Sequence, residues 1–321
     1  MGASGLGSRG IIGSFYNRLE TLSGVSWINL LAMYIATNQG SEEYKWLGMS
    51  PRMREWIGGR HAKGLRENGL TIVNKTYEAT LELDVDEIRR DKTGQIDIRI
   101  NELAIGTIEH WATLLSLFID AGTGTTYGNA YDGIPFFSAS HSNGDSGTWK
   151  NLLTSSEVSE LNIATAATPT PTEFAKAIFG TIAYLMKNIK DDQGQMFNKS
   201  ARNWLVMTGA PSIYVALEQA VSNRTVIDTG GAAYDNPLPQ SKFKVTAEFN
   251  PELTSFNGFY ISRIDSVVKP FIQQEEMGVQ MSAIAEGSEL EFESNVHHYG
   301  VKALRNVGYG YPELMAKCTF D

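Results

Sequence analysis

After Gly69 the chain alternates. Val73, Tyr77, Ala79, Leu81, Leu83 and Val85 share one parity, while Asn74, Thr76, Glu78, Thr80, Glu82 and Asp84 share the other. Only Lys75 interrupts the apolar row. A period of two is the mark of a strand with one wet face, because successive side chains of an extended chain point to opposite sides. The polar run that follows ends in Asp91-Lys92-Thr93-Gly94, residue types that make turns. Ile96, Ile98 and Ile100 then alternate on the way back. The pattern predicts a long β-hairpin over residues 69–100. At about 3.3 Å per residue its first strand reaches on the order of 45 Å. A lone two-stranded ribbon leaves its apolar face uncovered. This one must lie on its own domain or on another chain, and the expectation is another chain.

Charge divides around this ribbon. Upstream, Lys45, Arg52, Arg54, Arg60, Lys63 and Arg66 stand against Glu55 alone. Over residues 74–97 the bases Lys75, Arg89, Arg90 and Lys92 face Glu78, Glu82, Asp84, Asp86, Glu87, Asp91 and Asp97. Solvated faces are one reading. The other is that the basic stretch of one copy meets the acidic ribbon of its neighbours, fixing register more than adding affinity.

Several segments carry a family resemblance. Trp46-Leu47-Gly48, Pro51-Arg52-Met53-Arg54-Glu55-Trp56, Gly59-Arg60 and Asn74-Lys75-Thr76-Tyr77-Glu78-Ala79-Thr80 resemble the signature of the Mu-like phage major head subunit, the T protein. Tyr131-Asp132-Gly133 with Phe136-Phe137 and His141, then Tyr299-Gly300-Val301 with Arg305, resemble the same family in the same order. The resemblance implies an α+β chain with the Hong Kong 97 phage capsid fold. On that pattern residues 1–68 are an N-arm and basic hinge, and 69–100 an E-loop hairpin reaching over a neighbour. Residues 101–163 begin a P-domain with its spine helix, 164–266 form an A-domain, and 267–321 return to the P-domain.

The implied function is that of a major capsid protein, which assembles with itself into pentamers and hexamers of an icosahedral shell around double-stranded DNA. The implied partners are scaffold, protease and portal proteins, and a decoration protein; the implied place is the virion, assembled in the host bacterial cytoplasm. No long helical extension precedes Ile11, so the scaffold is expected as a separate chain. Neither enzyme chemistry nor a cofactor is implied. Candidate subunit contacts are Arg52, Arg54, Trp56, Arg60, Lys75, Tyr77, Glu78, Glu82 and Asp84. Related phages cross-link a hairpin lysine to a neighbour's asparagine. Lys75 and Lys92 are the possible donors, but no acceptor with its acid is matched, and no cross-link is expected.

Composition agrees with a shell that encloses nucleic acid without gripping it. The formal charge is -9, whereas phosphate contacts need Lys and Arg in excess. The 321 residues suffice for one large domain or two modest ones. Hydrophobic residues make up 42%, enough for a sizeable core. Cys318 is the only cysteine, so no intrachain disulfide forms and a reducing cytoplasm suits the chain. The longest apolar run, residues 25–36, contains Ser26 and Asn29 and is too short to span a bilayer. The start Met1-Gly2 lacks the later Ser or Thr of a myristoylation signal, Leu6 standing there instead.

Along the chain, Ile11, Phe15, Leu19 and Leu22 share a helical stripe, and residues 27–37 read as a second helix, apolar on most sides. Ser50 and Pro51 open a short helix that Gly58-Gly59 ends. Asn101 caps a helix over residues 102–121, placed where the resemblance puts the spine. Asp132-Gly133 turns into a short strand over 134–137. Residues 164–172 read as a linker, and Thr172 caps a helix carrying Phe174, Ile178, Ile182 and Leu185. A strand over 204–207, a helix from Pro211 to 221, a loop over 223–241 and strands over 243–249 and 259–265 complete an α/β unit. From Val267 the chain is strand-like.

Four patterns invite chemistry. Gly122-Thr123-Gly124-Thr125-Thr126-Tyr127-Gly128 has Tyr127 where a dinucleotide loop needs Gly, and no Gly-Lys follows. Ser138, Ser140 and His141 near Asp132 suggest a hydrolase, yet no nucleophile elbow is present, and a structural hydrogen-bonding role for His141 is the expectation. The acids Glu275, Glu276, Glu286, Glu289, Glu291 and Glu293 are too loosely spaced for converging metal ligands. His297 and His298, adjacent on a strand, point to opposite faces and do not chelate together. Two alternatives to the virion shell remain: an encapsulin-like nanocompartment with the same fold, and a soluble hydrolase using Ser138 or Ser140 with His141.

Overall fold

Two sheets share one long helix. The computed structural model describes residues 7–22, 24–47, 69–91, 94–227, 231 and 233–321. Helix α1 (Ser8–Thr21) buries Ile11 and Phe15, as the stripe predicts. Residues 27–37 divide: α2 is only Ile28–Leu31, and β1 takes Ala32–Ala36. The run is apolar enough for a buried helix, but β1 finds a sheet partner in parallel register, Ala32 beside Phe271 through Ala36 beside Glu275. Tertiary pairing overrides local propensity there.

The predicted hairpin over 69–100 is corrected. Its first half is extended, as β3 (Leu70–Val73) and β4 (Lys75–Asp84), parted at Asn74 beside the Lys75 that broke the apolar row. Its second half is helical. Strand β3 pairs upstream with β2 (Ser41–Tyr44), Tyr44 opposite Leu70 and Ser41 opposite Val73. Past β4, Asp84 caps helix α3 (Val85–Arg90), accepting from the Asp86 and Glu87 amides at 2.7 and 3.3 Å. The supposed turn residues begin helix α4 (Gln95–Asp120). Asp91 carboxylate oxygens accept from the Gly94, Gln95 and Ile96 amides, covering donors that a helix start leaves free. The three isoleucines do not share a face: Ile96 is 4% exposed, Ile98 56% and Ile100 0%. That is the i, i+4 rule of a helix.

The expected sister-chain cover is corrected for Leu81 and Leu83, while Val73 stays 59% exposed. Leu83 packs with Ile11, Phe15, Ile96, Ile100 and Tyr299 of the same chain, and Leu81 lies against that cluster. The predicted helix over 102–121 is the later part of α4, whose 26 residues make a rod of about 39 Å.

No strand forms over 134–137. Phe136 and Phe137 are nonetheless buried, and a Cβ on Gly122 would strike the Phe137 ring. After the short β5 (Leu152–Leu153), helix α5 (Pro171–Asn188) starts two residues earlier than predicted. Thr170, not Thr172, is its cap, in a reciprocal box with Glu173. Strand β6 (Asn203–Thr208) and helix α6 (Pro211–Ser222) follow as predicted. The predicted loop over 223–241 contains a small ribbon, β7 (Thr225–Ile227) with β8 (Ala233–Asp235). Then come β9 (Lys244–Phe249), β10 (Gly258–Arg263) and β11 (Phe271–Ile284). Helix α7 (Glu289–Ser294), which the strand-like reading missed, joins β11 to β12 (Val296–Tyr309). Strand β13 (Met315–Thr319) ends the chain.

One sheet has the order β1-β11-β12-β4, the other β5-β13-β10-β6-β9. Helices α5 and α6 share a core with the second sheet. The C-terminal half of α4 buries Leu114, Leu115, Phe118 and Ile119 with residues of both sheets, among them Leu205, Tyr260, Phe271 and Tyr309.

A pair of substitutions separates helix from hairpin at residues 96–100. Ile100→Ala should cost about 2–4 kcal/mol of unfolding free energy, and Ile98→Ala within about 0.5 kcal/mol of zero. Urea unfolding would report equal losses if both side chains lay on one buried strand face.

Candidate functional site

Strand β4 is an edge strand, hydrogen-bonded to β12 on one side, so its other backbone edge is open among the described residues. Such an edge is a template for another chain unless it is blunted. The five candidate residues on it divide by what they touch. Glu78 and Glu82 are exposed, in register with Lys302 and His298, and Glu82 lies 2.8 Å from His298 Nε2. Lys75 reaches toward the Tyr127 ring, 6.0 Å from its centre. Tyr77 and Asp84 have duties within the chain: Tyr77 packs edge-on against His110 with centroids 4.3 Å apart, and Asp84 is the α3 cap. Arg52, Arg54, Trp56 and Arg60, with Lys92 and the short helix begun at Ser50, lie outside the described residues.

Behind Tyr77 a cleft of about 380 Å³ opens between α4 and the β4–β12 pair. Arg305 lines it and is 3% exposed. Its Nη2 donates to the Thr107 carbonyl at 2.8 Å, and its guanidinium lies 4.8 Å from the Trp111 ring centre. Its Nε has no partner. Burial, with the Arg305 charge beside it, pushes the His110 imidazole down to about 4, so that ring is neutral near pH 7. His297 and His298 part as expected, the first buried and the second at the surface with Glu82.

The hydrolase candidate does not assemble. His141 is wholly buried, with Nδ1 2.6 Å from Asp132 Oδ2 and Nε2 3.1 Å from both the Phe136 carbonyl and Asn151 Oδ1. Both ring nitrogens are thus engaged, and neither meets a serine. The Ser138 and Ser140 hydroxyls pair with each other at 3.3 Å. A base must reach its nucleophile, so His141 acts here as a tie. Its ring stacks on Trp149 at 4.4 Å. Asn151 Nδ2 donates to the carbonyls of Phe136, Pro312 and Met315, binding the loop to the crossing between β12 and β13. At that crossing Glu313 is 2% exposed and accepts from the Tyr131 hydroxyl. Burial pushes its carboxyl up to about 7 despite that hydrogen bond. Sequence reasoning did not single out Glu313; no local pattern marks a glutamate as buried.

Among the described residues no cluster of His, Cys, Asp and Glu is placed to hold a metal ion. Cys318 is buried against Thr181, and burial pushes its thiol up to about 12, far from a reactive thiolate. No described helix is long and apolar enough to cross a membrane.

Comparison with known proteins places this geometry. The family model of the Mu-like prophage major head subunit gpT matches residues 10–167 and 180–319. The Mu-like prophage FluMu major head subunit of Haemophilus influenzae is 32% identical over 111 residues, 35% of each chain. The major capsid protein of Escherichia phage Mu is 35% identical over 69 residues, 22% of this chain and 23% of that one. The matched stretches therefore span about a third or less of these curated relatives. Among solved structures, the procapsid of bacteriophage JBD30 has a TM-score of 0.55 at 21% identity, covering 98% of this chain and 74% of that one. The capsid of a native GTA particle scores 0.55 at 11% identity, with 94% and 93% covered. A virus-like particle from Pyrococcus furiosus scores 0.53 at 9%, with 97% and 98% covered. At such identities the likeness is one of fold.

Glu313 gives the described site a pH signature. The folded carboxyl keeps its proton to about 7, against an ordinary value of 4.5. Between those pH values the unfolded chain ionises first, so stability falls as pH rises through the window and is level on either side. Relative to the wild type, Glu313→Gln should gain up to about 3 kcal/mol from about pH 4 to about pH 8, at roughly 1.4 kcal/mol per unit shifted. Urea titrations across that range check it, and a pH-independent difference would contradict it.

Proposed function

This chain belongs to the Mu-like prophage major head subunit gpT family, and from that membership we propose that its work is to build the shell of a phage head. Its fold is the Hong Kong 97 type of phage capsid proteins, and it is a structural protein, not an enzyme. The family match along nearly the whole chain carries the reading. It also weighs against a nanocompartment, since the sequence family is a head subunit.

The chain acts by assembling with itself around double-stranded DNA, in the virion and, before that, in the host cytoplasm. Scaffold, protease, portal and decoration proteins are its partners there. The four-stranded sheet with α4 serves as the P-domain and the five-stranded sheet with α5 and α6 as the A-domain. The β2–β3 ribbon, with the residues joining its strands, takes the E-loop role, which residues 69–100 do not fill as a hairpin. That joining stretch holds Arg52, Arg54, Trp56 and Arg60. It meets the exposed Glu78 and Glu82 on the β4 edge of a neighbour. Many weak contacts of this kind suffice when symmetry repeats them.

Negative-stain microscopy of the expressed protein should show closed shells of uniform size; a monodisperse single chain would refute the proposal. Reversing charge at Arg52→Glu with Arg54→Glu should prevent shells while circular dichroism stays native, and normal shells from that variant would remove these arginines from the contact.

A further inference from the structure

A tight turn and a chain crossing meet over a buried carboxyl. In residues 129–135 the Ala130 amide donates to the Ile134 carbonyl at 2.8 Å, and Asn129 Nδ2 to the Gly133 carbonyl at 2.9 Å. Gly133 holds the bend with a φ of +82°, which glycine adopts without strain. Against this turn runs the crossing from β12 to β13, where Glu313 is 2% exposed. Two polar ties hold the turn down. The Tyr131 hydroxyl donates to Glu313, and Asp132 Oδ2 lies 2.6 Å from His141 Nδ1. The Tyr131 ring also packs edge-on against Tyr311, with centroids 5.9 Å apart.

The surroundings of Glu313 favour its neutral form. Its second oxygen, Oε2, has no partner. Arg263 on β10 spends its guanidinium on Asp265, the Phe197 carbonyl, Asn198 and Ser200. Asn198 in turn donates to the Glu313 carbonyl and not to the carboxyl. The titratable groups that face the carboxyl are Tyr131, Asp132 and His141. Burial raises it most; Asp132 adds to that, while the Tyr131 hydrogen bond and the charge of a protonated His141 favour ionisation. A carboxylate in so dry a place is costly unless water reaches it. Tyr131 is only half-buried and touches the carboxyl, so the turn is the way in for water.

We propose that residues 129–135 act as a pH-sensitive latch on this crossing, closed while Glu313 keeps its proton and loosened when it ionises. Opening lifts Tyr131 from the crossing and hydrates the carboxylate. The crossing carries the chain from β12 of one sheet to β13 of the other, so slack there is slack between the sheets. The latch belongs to the fold of the single chain and holds whether or not the chain forms shells. With the turn open, the hydrated carboxyl returns to its ordinary 4.5; with the turn closed it keeps the proton to about 7. Opening therefore becomes easier as pH rises between those values, by up to about tenfold per unit, and is level above them.

Hydrogen exchange of the full-length protein, read by mass spectrometry and corrected for the intrinsic rate, tests this. The peptides to follow carry the Ala130 amide and the Leu314 amide, which donates to the Tyr311 carbonyl. Their protection should fall about tenfold or more between pH 5 and pH 7 and then level off. Peptides from the middle of α4 should stay better protected at every pH. Glu313→Gln, neutral throughout, should keep the turn about tenfold or more better protected than the wild type at pH 7. Protection that is the same at pH 5 and pH 7, or that falls equally in Glu313→Gln, overturns the latch. So does equal protection of the turn and α4, which means that the whole chain opens together. If Glu313→Gln does not fold, the wild-type profile decides alone: a fall that continues above about pH 7 belongs to another group and overturns the proposal.

Discussion

Helix α4 ties the two sheets together because its buried face changes owner along its length. Ile96, Ile100 and Ala104 serve a cluster made with α1, β4 and β12. Three turns later Leu114, Leu115, Phe118 and Ile119 enter a core to which both sheets contribute. A single rod of about 39 Å thus fixes one sheet relative to the other more firmly than loops could. Burying each large apolar side chain contributes about 1.5–3 kcal/mol, and the rod gathers many of them. Movement of one sheet against the other must slide along α4 or expose Phe118 and its neighbours.

The chain crosses between the sheets three times, by way of α4 to β5 and then over residues 264–270 and 310–314, and polar groups go inside at the last crossing. Most are satisfied. Asn151 answers three carbonyls and accepts from the Ser138 amide at 2.8 Å. Asn198 answers the Leu185 and Glu313 carbonyls. This explains how residues 130–151 stay ordered with little regular structure: their backbone groups are paired by side chains, as buried amides must be. Exceptions are the Trp149 Nε1 and Glu313. The Glu313 Oε2 has no partner, and keeping the proton is how a buried carboxyl limits the penalty.

What could be read in the sequence follows from where local rules had no competitor. The stripes of α1 and α5 were legible because each buries one face in the way its period dictates, and the apolar run at β6 because both its faces are buried. Ile96, Ile98 and Ile100 misled because three residues of alternation fit a strand and also fit a helix whose middle residue faces water. Asp91 and Gly94 are equally ambiguous: a turn and a helix start both favour them, and only the hydrogen bonds to the Gln95 and Ile96 amides decide. Residues 32–36 went wrong for a nonlocal reason, since nothing nearby announces Phe271 as a partner. Lys75 was the better signal, marking the break between β3 and β4. At the candidate site, the separation of His297 from His298 was readable from strand geometry. Asp132 beside His141 was readable too, but the engagement of the other ring nitrogen was not, because Asn151 and the Phe136 carbonyl meet it only in space.

An open strand edge and an acidic surface together pose the problem that a self-assembling subunit must solve. The outer row of β4 is polar, with Thr76, Glu78, Thr80 and Glu82, so two such edges repel when placed side by side. The overall charge of -9 adds a general repulsion between copies and disfavours contact with nucleic acid. Basic residues oppose such an edge, and the sequence concentrates them in the stretch containing Arg52, Arg54 and Arg60. Specificity then comes from repulsion at every wrong pairing as much as from attraction at the right one. A chain built this way stays dispersed until several complementary contacts form at once, which is the behaviour closure of a shell demands.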